Sequence, residues 1–153
     1  MEKTLLFFMQ GIPESIGLIS FCLALAGVPL RWKIIIAVGM VLTTIVLILR
    51  SLPLAYGLHT VAITLLMAFV ITKITRIPAA KSLIAAFASI CVLAIMELAI
   101  NNLFFSITKL EQQAVISNNL LWELLGLPQA ILMIIFAVII PKFKKPIEGA
   151  WKI

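Results

Sequence analysis

The chain has 153 residues, of which 63% are hydrophobic and only 12% are charged. A soluble domain carries about 25% charged residues, so this chain has too few polar groups to coat a water-exposed surface. Twelve basic residues against six acidic ones would raise the question of nucleic acid, but no closely spaced basic run with interleaved aromatics is present, so we expect no nucleic-acid partner. The composition predicts an integral membrane protein of the all-α class, embedded in the lipid bilayer.

Five apolar segments have the length of a membrane-spanning helix, about 20 residues, or come close to it. The first segment is interrupted by Gly11, Pro13 and Glu14, and basic residues follow it directly, so we interpret it as a retained span and not as a cleaved signal. Residues 1–141 are expected to form one transmembrane helical domain, followed by a short basic cytoplasmic tail over 142–153. In chain order the predicted spans are 4–26, 34–49, 58–72, 82–105 and 120–140.

The basic residues between these segments alternate in number along the chain. Nine lie in the first loop, the third loop and the tail, and three lie at the N-terminus and in the second and fourth loops. Cytoplasmic loops carry the excess of Lys and Arg in membrane proteins. The sequence therefore predicts a polytopic bundle of five spans with the N-terminus outside and the C-terminus inside.

A short pattern recurs in the first and last predicted spans, at an offset of 115 residues. Residues 11–14 (Gly-Ile-Pro-Glu) match residues 126–129 (Gly-Leu-Pro-Gln). The pattern predicts a helix break or start at Pro13 and at Pro128, with a freed carbonyl beside an acid or an amide, as in the interrupted helices of transporters. A chance recurrence of Gly and Pro is the alternative. If Pro13 begins the first helix, Glu14 lies at the outer interface and not at membrane depth.

Ionisable and amide side chains gather in the outer halves of the predicted spans. An ionisable residue at membrane depth is costly, so each one is a candidate for function. Such a cluster suits a ligand that arrives from outside, although Arg50 paired with one glutamate and amides at helix ends would be a purely structural alternative. The candidate ligand-binding residues are Glu14, Arg50, His59, Glu97, Asn101, Glu123 and Gln129.

The sequence contains none of the common catalytic or metal-binding motifs. It has no Asp, no G-x-S-x-G, no H-E-x-x-H and no P-loop. His59 is the only histidine, and Cys22 and Cys91 lie in apolar segments without C-x-x-C spacing. We therefore expect no enzyme activity, no metal and no cofactor.

Three features resemble the membrane sensor region of bacterial peptide-sensing histidine kinases. They are residues 11–14 in the first span, the segment 50–53 (Arg-Ser-Leu-Pro) followed by 57–60 (Gly-Leu-His-Thr), and the basic cytoplasmic turns. The resemblance covers most of the chain, but such receptors continue into a dimerisation helix and an ATP-binding domain, which residues 1–153 do not contain. It implies a multi-pass protein of the bacterial cell (inner) membrane without a kinase domain, and it transfers no site residues.

Three functions are consistent with the predicted outer cluster. The first is a receptor-like or regulatory membrane protein that senses an external ligand and acts through a membrane or cytoplasmic signalling partner. The alternatives are a small transporter, or the substrate-binding subunit of one, and a membrane assembly or scaffold protein. Because five helices bury little of their own surface, a homo-oligomer remains an open alternative.

Overall fold

The computed structural model describes residues 2–55 and 57–152, the side chain of residue 119 excepted. The predicted all-helical class is confirmed, and each predicted span lies inside one long helix. Helices α1, α2, α4 and α6 are long and apolar enough to cross a membrane, whereas α3 has only 17 residues. The helices of the described chain are α1 Glu2–Ala26, α2 Trp32–Ser51, α3 Leu58–Ile74, α4 Ala79–Thr108, α5 Gln112–Ser117 and α6 Asn119–Phe143.

The long fourth connection is more structured than its polar sequence suggests. Helix α4 continues to Thr108, and the short helix α5 follows within the segment expected to be a loop. A helix of six residues is not stable alone, because too few hydrogen bonds offset its nucleation. Val115 explains how α5 persists, since its side chain is buried and α5 packs against α6.

Helix α1 is the centre of the bundle. It packs most extensively against α6, and also against α2 and α4, while α3 packs mainly against α4. Gly17 allows the closest approach of α6, because a Cβ at this position would lie only 2.9 Å from the carbonyl oxygen of Ala130. The helix ends at Gly27, whose φ of 82° and the hydrogen bond from the Val28 amide to the Leu23 carbonyl (2.9 Å) form a Schellman motif.

The long helices alternate in direction. Helix α2 runs antiparallel to α1, since Thr43 reaches Gly11 while Gly39, earlier in α2, meets Ile16, later in α1. Helix α6 runs parallel to α1, since Gln10 packs on Gly126 at one end and the tail after α6 reaches the end of α1 at the other.

Helix α3 reaches from one end of the bundle to the other. Near its start, the Nε2 atom of His59 lies 3.0 Å from the carbonyl oxygen of Leu49, close to the end of α2. Its last residue, Ile74, accepts a hydrogen bond from the amide of Lys152 in the C-terminal tail. Although it is the shortest of the five long helices, α3 therefore joins the same two ends as the others.

Large apolar side chains cover much of the outer surface. Phe69, Phe87 and Leu98 are each about 60% exposed, with fractions of 59%, 63% and 64%. Contiguous apolar surface of this kind is rare on soluble monomers. Together with the four long apolar helices, it indicates a membrane protein.

Candidate functional site

The charged residues of the chain separate towards opposite ends of the bundle. One end, called the acidic end, is formed by the starts of α1, α3 and α6 and the ends of α2 and α4. It has three basic residues, whereas the opposite end, called the basic end, has nine basic residues and Glu148. The glutamates of the acidic end are Glu2, Glu14, Glu97, Glu111 and Glu123.

Two adjoining cavities open at the acidic end. The polar cavity, of about 170 Å³, lies between α1, α4 and α6 with Arg50 of α2 at its side. The deep cavity, of about 240 Å³, extends towards the middle of the bundle between α1, α2, α3 and α4, and much of its wall is aliphatic. The cavities adjoin because four residues line both of them, namely Gln10, Glu14, Arg50 and Glu97.

Six of the seven candidate residues from the sequence line the polar cavity. They come from four helices and lie as far apart in the chain as Glu14 and Gln129. The seventh, His59, lines neither cavity and instead contacts the end of α2 through the Leu49 carbonyl. The structure therefore gives His59 a local role at the α2–α3 turn. The six that meet are Glu14, Arg50, Glu97, Asn101, Glu123 and Gln129.

The helix breaks predicted at Pro13 and Pro128 are not present. Helix α1 continues from Glu2 to Ala26 through Pro13, and α6 continues through Pro128. Tight packing between α1 and α6 explains why both helices persist despite the hydrogen bond that each proline removes. Because Pro13 does not begin the helix, Glu14 lies in the interior of α1, where Gln10 donates a hydrogen bond to its Oε2 at 3.2 Å.

The two segments that share the Gly-x-Pro pattern lie side by side. Helices α1 and α6 are parallel neighbours, and a side chain at Gly126 would overlap the Gln10 amide. Glu14 and Gln129, which occupy equivalent positions of the pattern, both line the polar cavity. The pattern thus places one acid and one amide on the same cavity from two parallel helices.

Arg50 lies at the junction of the two cavities. Its guanidinium is over the Phe7 ring, 5.1 Å from the centroid, which is a cation–π geometry. It is close enough to Glu14 and Glu123 to interact electrostatically. Within the described residues, however, no carboxylate oxygen lies within 4.0 Å of it. The direct ion pair that would make this cluster purely structural is therefore not formed.

Gln129 is the most deeply buried polar side chain of the polar cavity. It is only 4% exposed, and its amide has no hydrogen-bond partner among the described residues. The amide borders the cavity, where water or a ligand group would satisfy it.

The sequence did not predict a cluster of hydroxyl groups that joins α2 to α1 beside the deep cavity. The Thr43 Oγ1 atom lies 2.9 Å from the Ser15 hydroxyl, 3.0 Å from the Gly11 carbonyl oxygen and 2.8 Å from the Gly39 carbonyl oxygen. Thr43 and Ser15 also line the deep cavity. The sequence did contain an indication of this cluster, because Thr43 lies four residues after Gly39 and therefore on the same face of α2. A glycine with a hydroxyl on the same face is typical of a close contact between membrane helices.

The deep cavity does not continue to the basic end. Below it, the centre of the bundle is filled by buried side chains of α1, α2, α3 and α6. Cys22 and Leu23 of α1, Ile35 of α2 and Met133 of α6 have no measurable exposure, and Met67 of α3 is 2% exposed. The polar part of the site therefore opens at the acidic end, and only an apolar cavity of about 220 Å³ between α2 and α3, which shares Leu42 with the deep cavity, extends towards Ile74 near the basic end.

The C-terminal tail crosses the basic end and packs on it. We call residues 144–152 the strap. Its amides at Ile147 and Lys152 donate hydrogen bonds to the carbonyls of Gly27 (2.7 Å) and Ile74 (3.0 Å), so it joins the end of α1 to the end of α3. Trp151 is 6% exposed, and its indole Nε1 donates to the Pro29 carbonyl at 2.7 Å.

Among the described residues, no three His, Cys, Asp or Glu side chains are grouped so that they would hold a metal ion. What the polar cavity does offer is carboxylates, amides and one guanidinium around a space that adjoins an aliphatic wall. Comparison of the chain with protein-family models, curated proteins and solved structures finds no match.

Proposed function

We propose that the chain crosses a bacterial cell membrane five times, with the acidic end outside and the basic end in the cytoplasm. A helix of 17 residues is about 25 Å long, at the lower limit for a span, and α3 reaches between both ends of the bundle. The nine basic residues at one end agree with the positive-inside bias. The bacterial location rests on the resemblance to kinase sensor regions.

In this topology the protein acts as a receptor-like regulator. A small external ligand occupies the polar cavity, and the strap transmits the change to a membrane or cytoplasmic signalling partner. The observation that carries the proposal is that α1 and α6 contact both the polar cavity and the strap. They wall the polar cavity through Glu14 and Gln129, and the strap, which continues from α6, is bonded to the end of α1 at Gly27.

Rigid helices explain how the polar cavity and the strap would be coupled. Helix α1 is continuous between Glu14 and Ala26, so a ligand that draws Glu14 towards Gln129 changes how α1 and α6 pack along their length. Coupling of this kind requires an element with two arrangements that both sites bias. We assign this role to the strap, because a few backbone hydrogen bonds and one indole hold it to the bundle.

The test is hydrogen exchange of the strap amides, followed by mass spectrometry, in lipid nanodiscs. We expect Glu14→Gln to change the exchange rate of residues 144–152, because it replaces a carboxyl group of the cavity wall, which accepts a hydrogen bond from Gln10, by an amide. Glu111→Gln is the matched control, since Glu111 lies at the same end but lines neither cavity. Identical strap exchange in wild type, Glu14→Gln and Glu111→Gln would refute the coupling.

A transporter is the second candidate, because prolines lie inside both helices that wall the site. Pro13 and Pro128 leave the carbonyls of Met9 and Leu124 without their helical amide partners, a feature of ion-binding helices in transporters. The apolar lining of everything below the deep cavity favours the receptor, because it offers no polar path for an ion. A flux of protons or sodium ions into proteoliposomes that is lost in Glu14→Gln would reverse this preference. A scaffold would show neither flux nor a strap response.

A further inference from the structure

The charge around the polar cavity is unbalanced. Three carboxylates line it, those of Glu14, Glu97 and Glu123, against the single guanidinium of Arg50. Arg50 is already engaged with the Phe7 ring, and its charge is shared between Glu14 and Glu123. At least one carboxyl group of the polar cavity therefore lacks a basic partner within the described chain. A cationic group in the cavity would supply it.

Gln129 is an independent indication that a ligand belongs there. The residue is more than nine-tenths buried, and its amide borders the polar cavity and has no hydrogen-bond partner among the described residues. The amide oxygen is an acceptor, and it shares the cavity with the carboxylates and with the amide of Asn101. Acceptors from Glu14, Asn101 and Gln129 suit a group that carries several donors, as a primary ammonium does.

The deep cavity determines what the rest of the ligand must be. Beyond the shared polar rim its wall is largely aliphatic, and it adjoins the polar cavity through Glu14 and Glu97. The polar cavity measures about 170 Å³ and the deep cavity about 240 Å³, and because they adjoin, one small molecule can occupy both. The aliphatic residues of the deep wall include Leu18, Leu42, Val46, Ile63, Ile90 and Leu93.

We propose that the site binds a small organic amine: its ammonium group sits in the polar cavity among Glu14, Asn101 and Gln129, and its apolar substituent fills the deep cavity. This inference rests on the proposed function, because it names the chemical class of the ligand that the receptor would sense. It also predicts the polarity of binding, with the charged group nearer to the acidic end and the alkyl group directed into the bundle.

The test compares three six-carbon probes with different polar groups: hexylammonium, hexanol and hexanoate. Binding to the protein in nanodiscs is measured by calorimetry, with the signal of empty nanodiscs subtracted to remove partitioning into lipid. We expect hexylammonium to bind at least tenfold more tightly than hexanol or hexanoate. Trp122 lines the polar cavity, so its fluorescence should change on binding, and Trp122→Phe should remove that optical signal while the heat remains.

Two variants with opposite expected effects on hexylammonium affinity distinguish a change in binding from a folding defect. Glu14→Gln should weaken hexylammonium binding at least tenfold, whereas Gln129→Glu should strengthen it, a gain that misfolded protein would not give. Glu111→Gln is expected to bind as wild type does. Hexanoate binding that exceeds hexylammonium binding and depends on Arg50, or no probe binding above the lipid background, would overturn the amine assignment.

These outcomes are separable from the proposed function. The strap-exchange experiment uses no ligand, so a strap that responds to Glu14→Gln keeps the receptor proposal even when hexylammonium fails to bind. Conversely, tight hexylammonium binding with a strap that never responds would leave an amine site without a regulatory role.

Discussion

Gly17→Ala tests how closely the packing of α1 against α6 is set. The new methyl carbon would lie 2.9 Å from the Ala130 carbonyl oxygen and 3.1 Å from the Met133 Cβ. Ordinary van der Waals contact begins at 3.4 Å, so the two helices must separate by about half an ångström. Since a backbone carbonyl cannot rotate away, we expect the overpacking cost of about 1–3 kcal/mol.

Part of this cost is offset by the substitution itself. Alanine is favoured over glycine inside a helix by about 1 kcal/mol, so the net loss for Gly17→Ala is about 0–2 kcal/mol. Gly39→Ala is the comparison variant, because the propensity gain is the same but the nearest atom, at 2.9 Å, is the side-chain Cγ1 of Ile16 and not a backbone carbonyl. The difference between the two variants isolates the contact with the α6 backbone, and we expect it to be about 1–2 kcal/mol.

Reversible unfolding in mixed micelles, followed by far-ultraviolet circular dichroism during titration with a denaturing detergent, measures both free energies. The expected order of stability is Gly39→Ala above Gly17→Ala. If Gly17→Ala proves as stable as Gly39→Ala or more stable, the helices are not held at the separation described, and the arrangement of Glu14 beside Gln129 loses its support.

Three further outcomes are expected. Thr43→Val keeps the shape of the side chain but leaves the Ser15 hydroxyl without the Thr43 partner, so unfolding should become easier by about 1–2 kcal/mol in the same titration. Trp151→Phe removes the indole hydrogen bond, worth about 1 kcal/mol, and should speed hydrogen exchange in the strap without changing that of α1; unchanged strap exchange would show that the indole does not anchor it. The orientation is tested with Lys109→Cys and Lys145→Cys, each in a Cys91→Ser background. Lys109→Cys should react with a membrane-impermeant maleimide added to intact cells, whereas Lys145→Cys should react only after lysis. The reverse pattern would contradict the proposed orientation.

The helices could be predicted from the sequence because apolar length is a local property. Every predicted span lies inside an observed helix, and the errors are a few residues at the ends, where interfacial and charged residues still continue the backbone hydrogen bonds. The short helix α5 was missed because its stability depends on the burial of Val115, which is a tertiary contact.

The site was only partly predictable from the sequence. The boundaries of a span determine how far along the helix a polar residue lies, but they do not determine which side chains of other helices surround it. Glu14, Glu97 and Gln129 are placed at one end by counting residues along each span. That Gln129 has no partner, and that Thr43 joins α2 to α1, depend on helix rotation and on which helices are adjacent. The continuity of α1 through Pro13 was equally hidden, because the flanking packing decides whether a proline ends a helix.

The parallel pairing of α1 with α6 has a consequence for biogenesis. The first helix leaves the ribosome and enters the bilayer more than a hundred residues before its main partner has been synthesised. During that interval Gln10 and Glu14 have no α6 to pack against, and the polar cavity has no third wall. The early helices must therefore be held near the insertion machinery, or associate loosely in lipid, until the last one arrives. Completion of the polar cavity is then the final step of insertion, so a chain that stalls before α6 is complete leaves Glu14 without one wall of its surroundings.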